Sequence, residues 1–319
     1  MKIVDSMFCY QCEQTIGGKG CTKTGNCGKN AEVSALQDLL IYELKGIGYY
    51  GHQLIQKGVD IDDETDKFMM DASFSTLTNV NFDPERFVEY LRSAEQIKQT
   101  LKSKLGEIKG SIPAEALYKL PGTKEEMLRD SEKAGIMYDQ ALNEDIRSLR
   151  EMLIYGMKGM GAYCHHAHVL GYHDETVENF FYKGFAATID KSLTVEDLYN
   201  LTMEFGQVNL KCMELLDKAN TGSYGQPEPT EVLITKKKGP FIVVSGHDLK
   251  DLEEVLQQTE GKGVNIYTHG EMLPAHSYPK LKKFKHLAGN FGGAWQDQQK
   301  EFDKLPGCIL MTTNCLQKP

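Results

Sequence analysis

The sequence has no long hydrophobic run, little cysteine outside one short segment and no excess of positive charge. No stretch reaches the ~18 consecutive apolar residues that indicate a membrane-spanning helix, so no such helix is expected. The formal net charge is −9, and an acidic chain has no general attraction for phosphate backbones, which argues against a nucleic-acid partner. The opening residues, MKIVDSMFCY, lack the apolar run of a secretory signal. These absences together predict a cytoplasmic protein.

Cysteine is scarce over most of the chain but dense near its start. Four of the eight cysteines lie within residues 9–27. Two residues separate Cys9 from Cys12, eight separate Cys12 from Cys21, and five separate Cys21 from Cys27. In a reducing compartment, clustered cysteines are more often metal ligands or redox groups than disulfides. The glycines between them let the backbone wrap round and present thiolates from different directions.

Two chemistries use four thiolates in a compact loop, namely an iron–sulfur cluster and a tetrahedral structural zinc. Zinc knuckles more often show two matched short pairs, whereas the last interval here is five residues. The spacing therefore favours an iron–sulfur cluster. Zinc, and thiols that are unligated or paired as disulfides, remain open alternatives.

After Cys27 the apolar residues recur every three to four positions, which is typical of amphipathic helices. This pattern predicts helices over 31–58, 62–77, 83–105, 143–172, 174–188 and 194–219. Residues 1–225 are therefore interpreted as a helical-bundle domain that carries the cysteine loop of residues 9–27. The turn-forming run NTGSYGQPEP, residues 220–229, is interpreted as a linker.

Beyond the linker, strand-like and helix-like segments alternate. PFIVVSG, VNIYTHG and CILMTTN predict strands at 240–246, 264–270 and 308–314, with helices at DLKDLEEVLQQTEGKG and AWQDQQKEF. Alternation of this kind indicates βαβ units on a parallel sheet. The fold class is therefore α + α/β, with a helical bundle followed by an open, Rossmann-like α/β domain over 230–319. Because the chain stops just after the third predicted strand, this domain is expected to be incomplete.

Three side chains that can bind metal follow the predicted strands. His247 follows the first, Glu271 the second and Cys315 the third. In open α/β sheets, ligands bind outside the carboxyl ends of the strands, so these three groups are expected to converge on one crevice. Each alone has an ordinary explanation, because such a His or Glu is usually a turn or cap residue and a lone Cys is usually buried.

Other polar clusters have weaker functional interpretations. In CHHAH, residues 164–168, only His165 and His168 share a helix face, so a packed helix with polar residues is favoured over a metal site. KKK at 236–238 and KLKKFKH at 280–286 are basic islands in an acidic chain. They are candidate docking points for an acidic electron carrier, although a solvated surface is the simpler interpretation.

Several separated motifs occur in one order along the chain: CYQCEQT, VVSGHDL, YTHGEMLPAH, GAWQDQQKEF and MTTNC. Together with the cysteine spacing, they make the chain resemble the hybrid-cluster proteins, also called prismane proteins or hydroxylamine reductases. The resemblance runs from Met7 to the end of the sequence. It implies a helical first domain followed by α/β domains.

The resemblance also implies two cofactors. The first is a [4Fe–4S] cluster on Cys9, Cys12, Cys21 and Cys27. The second is a hybrid iron–sulfur–oxygen cluster, whose ligands would include His247, Glu271 and Cys315. The other hybrid-cluster ligands of the family, three cysteines, a glutamate and a lysine, belong to sequence that would follow the last residue here.

By this resemblance, the expected activity is reduction of hydroxylamine to ammonia and water, with nitric oxide as another candidate substrate. Electrons would come from a donor protein and enter through the [4Fe–4S] cluster. His269 and His276 are weaker candidates for proton donors, because histidine titrates near neutral pH and both lie near Glu271 in sequence. The alternative expectations are a non-catalytic iron–sulfur electron-transfer module and a zinc-stabilised structural domain.

Overall fold

The computed structural model describes residues 7–12, 15–77, 80–108, 110–138 and 141–313. They fall into two compact units. The helical unit comprises Met1–Leu77, Asn81–His165 and His173–Glu214, and the α/β unit comprises Thr78–Val80, His166–Tyr172 and Leu215–Pro319. The predicted class, α + α/β with a parallel sheet, is confirmed. In the described part of the chain, no helix is long and apolar enough to cross a membrane.

The first part of the chain is helical, as the apolar periodicity predicts. A short 3-10 helix, Ile16–Gly18, lies in the cysteine loop, and another, Ser131–Lys133, follows the fifth α-helix. The α-helices in chain order are α1 (Ala31–Gln56), α2 (Asp63–Ser75), α3 (Pro84–Leu105), α4 (Ala114–Leu117), α5 (Lys124–Asp130), α6 (Glu144–His168), α7 (Glu175–Ala187) and α8 (Val195–Tyr224).

Polar N-caps fix where several of these helices begin. The Asn30 side chain accepts a hydrogen bond from the Val33 backbone N–H at 2.9 Å and so starts α1 directly after the cysteine loop. Asp62 caps α2 in the same way. Capping satisfies backbone N–H groups that have no partner inside the helix. The cysteine loop is thereby joined to a well-defined helix start.

Helix α1 is the centre of the helical unit and packs chiefly on α3 and α7. Its buried face includes Leu36, Leu40 and Leu44, all without exposed surface. Gly48 lies against α7, where an added Cβ would come within 2.6 Å of the Phe185 Cβ. Any larger residue there would push the two helices apart, so this glycine serves close packing.

A buried ion pair joins α1 to α3. The Lys98 ammonium lies 2.5 Å from the Glu43 carboxylate, and neither side chain is exposed. Lys98 also donates to the Tyr118 carbonyl at 2.7 Å and lies 2.9 Å from Glu95. Burial raises the pKa of Glu43 to about 7, and the positive charge of Lys98 opposes that rise.

The α/β unit is built on a four-stranded parallel sheet with strand order β3-β2-β1-β4. Its elements are β1 (Phe241–Ser245), α9 (Leu249–Thr259), β2 (Asn265–His269), a 3-10 helix (Gly270–Ser277), α10 (Pro279–Lys282), β3 (Leu287–Phe291), a 3-10 helix (Trp295–Asp297), α11 (Gln298–Phe302) and β4 (Cys308–Met311). Because the strands are parallel, their carboxyl ends lie along the same edge of the sheet.

Two expectations from the sequence need correction. The prediction of three strands missed β3, Leu287–Phe291, which pairs with β2 at one edge of the sheet. Helix α8 continues to Tyr224 and therefore includes the first five residues of the predicted linker, 220–229. That run contains no proline before residue 227, so nothing in it stops the helix earlier. The proposed domain boundary between residues 225 and 230 stays a prediction.

Candidate metal centres

The cysteine loop is closed by a short backbone pairing between Cys9 and Cys21. The Cys9 N–H donates to the Cys21 carbonyl at 2.9 Å, and the Cys21 N–H donates to the Cys9 carbonyl at 2.8 Å. The chain reverses between them through the 3-10 helix Ile16–Gly18, where Gly17 and Gly18 adopt left-handed φ values of 67° and 66°. Glycine allows this conformation, so Cys9 and Cys21, twelve positions apart in the sequence, come side by side.

The four thiols of the loop are free, and three of them are buried. Cys9, Cys21 and Cys27 are at most 9 % exposed, whereas Cys12 is half-buried. The Cys21 sulfur accepts backbone N–H groups from Ile16 and from Asn26, each at 3.4 Å. Hydrogen bonds of this kind favour the charged thiolate and help to set the potential of a sulfur-ligated cluster.

The loop also makes room for the sulfur of Cys27. A Cβ added at Gly25 would lie 3.1 Å from the Cys27 Sγ and 3.2 Å from the Lys29 backbone nitrogen. The Gly25 N–H donates to the Lys29 carbonyl at 2.7 Å, which folds this end of the loop back on itself. A donor set of four thiols, backbone N–H groups aimed at sulfur and a glycine cradle together fit a thiolate-bound metal centre.

Burial makes the thiolate form of Cys9 unfavourable. It raises the pKa of the Cys9 thiol, and the nearby Asp38 carboxylate adds to the rise. The Gln11 backbone N–H, the Ser34 hydroxyl and the Lys29 ammonium act in the opposite direction. Because cysteine ligands must lose their protons to bind metal, a bound cation would stabilise the charged state that burial disfavours.

A set of buried polar side chains lies next to the loop and was not identified from the sequence. The Gln11 amide donates to Asp38 on α1 and accepts from the Lys158 ammonium on α6. Burial raises the pKa of Asp38 to about 7 and lowers the pKa of Lys158 to about 8. Lys29, two positions beyond Cys27, is likewise buried, and burial lowers its pKa to about 8.

The second candidate centre lies at the carboxyl edge of the sheet. His247 follows β1, and Glu271 lies in the 3-10 helix that follows β2. The structure brings these two predicted ligands together, with a hydrogen bond between His247 Nε2 and a Glu271 carboxylate oxygen. The His247 side chain is 36 % exposed and that of Glu271 is 54 % exposed, so both reach solvent. Cys315, the third predicted ligand, lies outside the described residues.

Residues after β4 hold His247 in place. The Thr313 hydroxyl lies 3.1 Å from His247 Nδ1, and the Thr312 hydroxyl accepts the His247 backbone N–H at 3.2 Å. Gly246 is needed for this contact, because its φ is 125° and an added Cβ would overlap the Thr313 carbonyl oxygen. Because a carboxylate only accepts, Nε2 carries the hydrogen in its contact with Glu271, and a bound metal would take the place of that hydrogen.

The two candidate proton donors are both buried beside this edge. His269 is 1 % exposed, and its ring nitrogens contact the Ser245 hydroxyl at 2.8 Å and the Glu301 carboxylate at 3.0 Å. His276 Nε2 lies 2.9 Å from the Thr268 hydroxyl, and burial lowers the pKa of His276. Their proposed role in proton transfer stays a prediction.

The CHHAH segment divides between core packing and polar contacts. Cys164 is buried with its sulfur 3.3 Å from the Cys212 sulfur on α8. In the helical unit, His165 Nδ1 lies 2.7 Å from an Asp71 carboxylate oxygen. In the α/β unit, His166 lies 3.7 Å from Asp248.

Part of the basic island at 280–286 is paired within its own unit, because the Lys282 ammonium lies 2.5 Å from a Glu228 carboxylate oxygen.

A helical unit with a four-thiol loop and a parallel sheet with His and Glu at its carboxyl edge define an α + α/β protein with two candidate metal centres. The chain matches the prismane/CO dehydrogenase family over residues 7–319. It is 52 % identical over 317 residues to a hydroxylamine reductase of Syntrophobacter fumaroxidans, covering 98 % of this chain and 58 % of that protein.

Two further relatives carry the same name. A hydroxylamine reductase of Desulfitobacterium hafniense strain Y51 is 49 % identical, and the match covers 98 % of this chain and 57 % of that protein. A hydroxylamine reductase of Methanosarcina mazei is 47 % identical over 313 residues, with the same two coverages of 98 % and 57 %. The chain therefore spans somewhat more than half the length of these relatives.

The chain belongs to the prismane/CO dehydrogenase family. Membership in this family implies iron–sulfur clusters, as the cysteine spacing also predicts. The resemblance drawn from the separated motifs is thus confirmed.

Proposed function

We propose that this chain takes part in the reduction of hydroxylamine to ammonia and water. The observation that carries the proposal is its identity of about half, over 98 % of its own length, to proteins named hydroxylamine reductase. Nitric oxide is a second candidate substrate within the same proposal. We further propose a cytoplasmic protein that takes electrons from a donor protein and has neither a nucleic-acid nor a membrane partner.

In this proposal, Cys9, Cys12, Cys21 and Cys27 hold a [4Fe–4S] cluster. When bound, such a cluster supplies one-electron transfer, which ordinary side chains cannot perform. The loop contributes four thiolates, and backbone N–H groups at 3.4 Å from the Cys21 sulfur stabilise the negative charge there. The glycine cradle at Gly25 keeps the Cys27 sulfur free of steric crowding.

The proposal also assigns His247, Glu271 and Cys315 as part of the ligand set of a hybrid iron–sulfur–oxygen cluster, the place where the nitrogen substrate would be reduced. Thr313 orients the imidazole of His247 through Nδ1, so that Nε2 and the Glu271 carboxylate face each other. An imidazole and a carboxylate are ordinary iron ligands. The meeting of these two groups at one sheet edge supports the assignment.

The reaction NH2OH + 2e⁻ + 2H⁺ → NH3 + H2O needs two protons for each substrate molecule. His269 and His276 are the candidate donors. His269 is the last residue of β2, two positions before Glu271, and His276 lies in the same 3-10 helix as Glu271. Replacing each by Gln in the full-length protein tests the role. Unchanged turnover in both variants would remove these histidines from the mechanism.

A non-catalytic electron-transfer module is the second candidate function. It is favoured by the fact that the chain spans 57–58 % of the length of its relatives, so their whole activity need not reside in it. In this alternative the [4Fe–4S] cluster works alone, and His247 and Glu271 only stabilise the sheet edge.

The two candidates are separated by turnover under anaerobic conditions. The purified chain is mixed with reduced viologen dye and hydroxylamine, and dye oxidation and ammonia are both measured. The reductase proposal expects two dye electrons per ammonia, with the rate lost in a Glu271→Gln variant. A matched Glu260→Gln variant, altered at an exposed residue beyond α9, should keep the rate. Dye oxidation that stops at about one electron per cluster, with no ammonia formed, would favour the electron-transfer module.

A further inference from the structure

A cluster in the cysteine loop would concentrate negative charge in a buried place. Four thiolates around a [4Fe–4S] core leave a net negative charge, and each added electron increases it. Charges interact strongly where water is excluded, so nearby fixed charges influence how easily such a cluster is reduced. Cys9, Cys21 and Cys27 are each at most 9 % exposed. The inference below rests on the proposed cluster at these residues.

Lys29 places a cation in this environment. It lies two positions beyond Cys27 and is 2 % exposed. Its ammonium donates to the Leu77 carbonyl at 2.6 Å and to the Thr76 carbonyl at 3.3 Å. These carbonyls lie directly after α2, at the end of a helix where the macrodipole is negative. The ammonium is therefore held inside the helical unit by acceptors that carry no full charge.

The backbone of Lys29 is tied to the same loop. Its carbonyl accepts the Gly25 N–H at 2.7 Å and the Thr24 hydroxyl at 3.3 Å. An added Cβ at Gly25 would lie 3.1 Å from the Cys27 Sγ and 3.4 Å from the Lys29 Cβ, so these two side chains leave the backbone beside each other. The buried cation of Lys29 is thus tied to the same end of the loop as the proposed ligand Cys27.

The other lysines near the loop are placed differently. Lys158 is equally buried, but its ammonium donates to the Gln11 side chain, which in turn donates to the Asp38 carboxylate. Lys19 and Lys23 belong to the loop itself but are exposed, where water and salt screen their charges. Lys29 therefore differs from these lysines in being buried two positions from Cys27 with its ammonium held by backbone carbonyls.

We propose that Lys29 is a fixed countercharge that makes the cluster at Cys9, Cys12, Cys21 and Cys27 easier to reduce, and so tunes the entry of electrons. Lys29 acts through the field at the cluster and not as a ligand. Removing its charge while keeping a hydrogen-bond donor should lower the midpoint potential of the cluster. A merely structural role would leave that potential unchanged.

The test compares variants of the whole chain after anaerobic iron–sulfur loading. Lys29→Gln keeps donors for the Thr76 and Leu77 carbonyls but removes the charge, Lys29→Arg keeps the charge, and Lys23→Gln is the exposed control. Iron and sulfide per chain are measured first, and the midpoint potential is then read from an EPR-monitored redox titration.

Lys29→Gln should shift the ratio of reduced to oxidised cluster at a given potential at least tenfold towards the oxidised form, equivalent to a fall of about 59 mV. Lys29→Arg and Lys23→Gln should stay close to the unaltered chain. A loaded Lys29→Gln cluster with an unchanged potential overturns the inference.

The remaining outcomes concern whether each variant binds the iron–sulfur cluster at all. If Lys29→Gln fails to hold the cluster and Lys29→Arg holds it, the positive charge is required and the countercharge role is supported. If both fail, the side chain acts through its shape and the inference is wrong. If the unaltered chain holds no iron and sulfide, the proposed function has failed, and its failure is distinct from an unchanged potential in a loaded variant.

Discussion

Replacing Lys98 by Met should destabilise the helical unit by about 3–5 kcal/mol near pH 8, because it leaves a carboxylate buried without its cation. The Lys98 ammonium lies 2.5 Å from Glu43, and neither side chain is exposed. Methionine fills much of the volume of the lysine stem, so the change removes charge more than packing. The expected loss is a large fraction of the roughly 5–15 kcal/mol that stabilises a typical domain.

The loss should depend on pH in a defined direction. Burial raises the pKa of Glu43 to about 7, above its ordinary value of 4.5, and removing the Lys98 charge raises it further. A carboxyl whose pKa is higher in the folded state keeps its proton longer there, so folding weakens as pH rises. The deficit of Lys98→Met should therefore be smaller at pH 6 than at pH 8.

The assay is urea unfolding followed by circular dichroism at both pH values. Lys104→Met is the matched control on the same helix, because Lys104 pairs with Asp62 at 3.2 Å on the surface and should cost at most about 1 kcal/mol. A double variant, Lys98→Met with Glu43→Leu, should recover most of the loss. A single-variant loss below about 1 kcal/mol at pH 8, or one equal at both pH values, would refute the reasoning.

Three further changes test the sites and the helical unit. Thr313→Val removes the hydroxyl that contacts His247 Nδ1 and orients the imidazole. In a Co²⁺ titration followed by the NMR signals of His247, this variant should bind Co²⁺ 10–100-fold more weakly than the unaltered chain. Gly25→Ala crowds the Cys27 sulfur, so iron per chain after loading should fall, whereas Gly122→Ala, in open space, should leave it unchanged. Burial raises the pKa of Asp66 to about 6, so the stability that this group contributes is present below about pH 4 and is lost as pH rises through about 6. Urea unfolding midpoints of an Asp66→Asn variant should therefore change less with pH over this range than those of the unaltered chain.

The helices could be predicted because local signals agree with the final packing. In α1 the apolar residues recur at helical spacing, Asn30 caps the start, and Gly58 has the left-handed φ of 72° that ends a helix readily. Strand β1 begins with the apolar run FIVV, and β2, NIYTH, contains the β-branched and aromatic residues that favour strands. Glycine follows each of them, which is also a local signal.

Strand β3 could not be predicted in the same way. Its sequence, LAGNF, contains Gly289 and Asn290, both of which are uncommon in strands. The strand forms because β2 lies beside it and because the Asn290 N–H donates to the Leu233 carbonyl at 2.9 Å. An added Cβ at Gly289 would overlap that carbonyl, so the glycine serves a contact made by residues far away in the sequence.

The candidate metal centres could likewise be predicted only in part from the sequence. The cysteine loop and the pair His247 and Glu271 could be proposed from spacing and strand ends. The buried groups around the loop could not, because a lysine or aspartate on a helix usually faces solvent. Lys158 and Asp38 become part of the site only when α1 and α6 bring them to Gln11.

The central claim is that the loop of Cys9, Cys12, Cys21 and Cys27 binds an iron–sulfur cluster. The measurement that tests it most directly is iron, zinc and acid-labile sulfide per chain, on protein purified without oxygen. We expect at least about four irons with matching sulfide and little zinc. Zinc in place of iron, with no sulfide, would rule out the iron–sulfur cluster and favour a structural zinc loop.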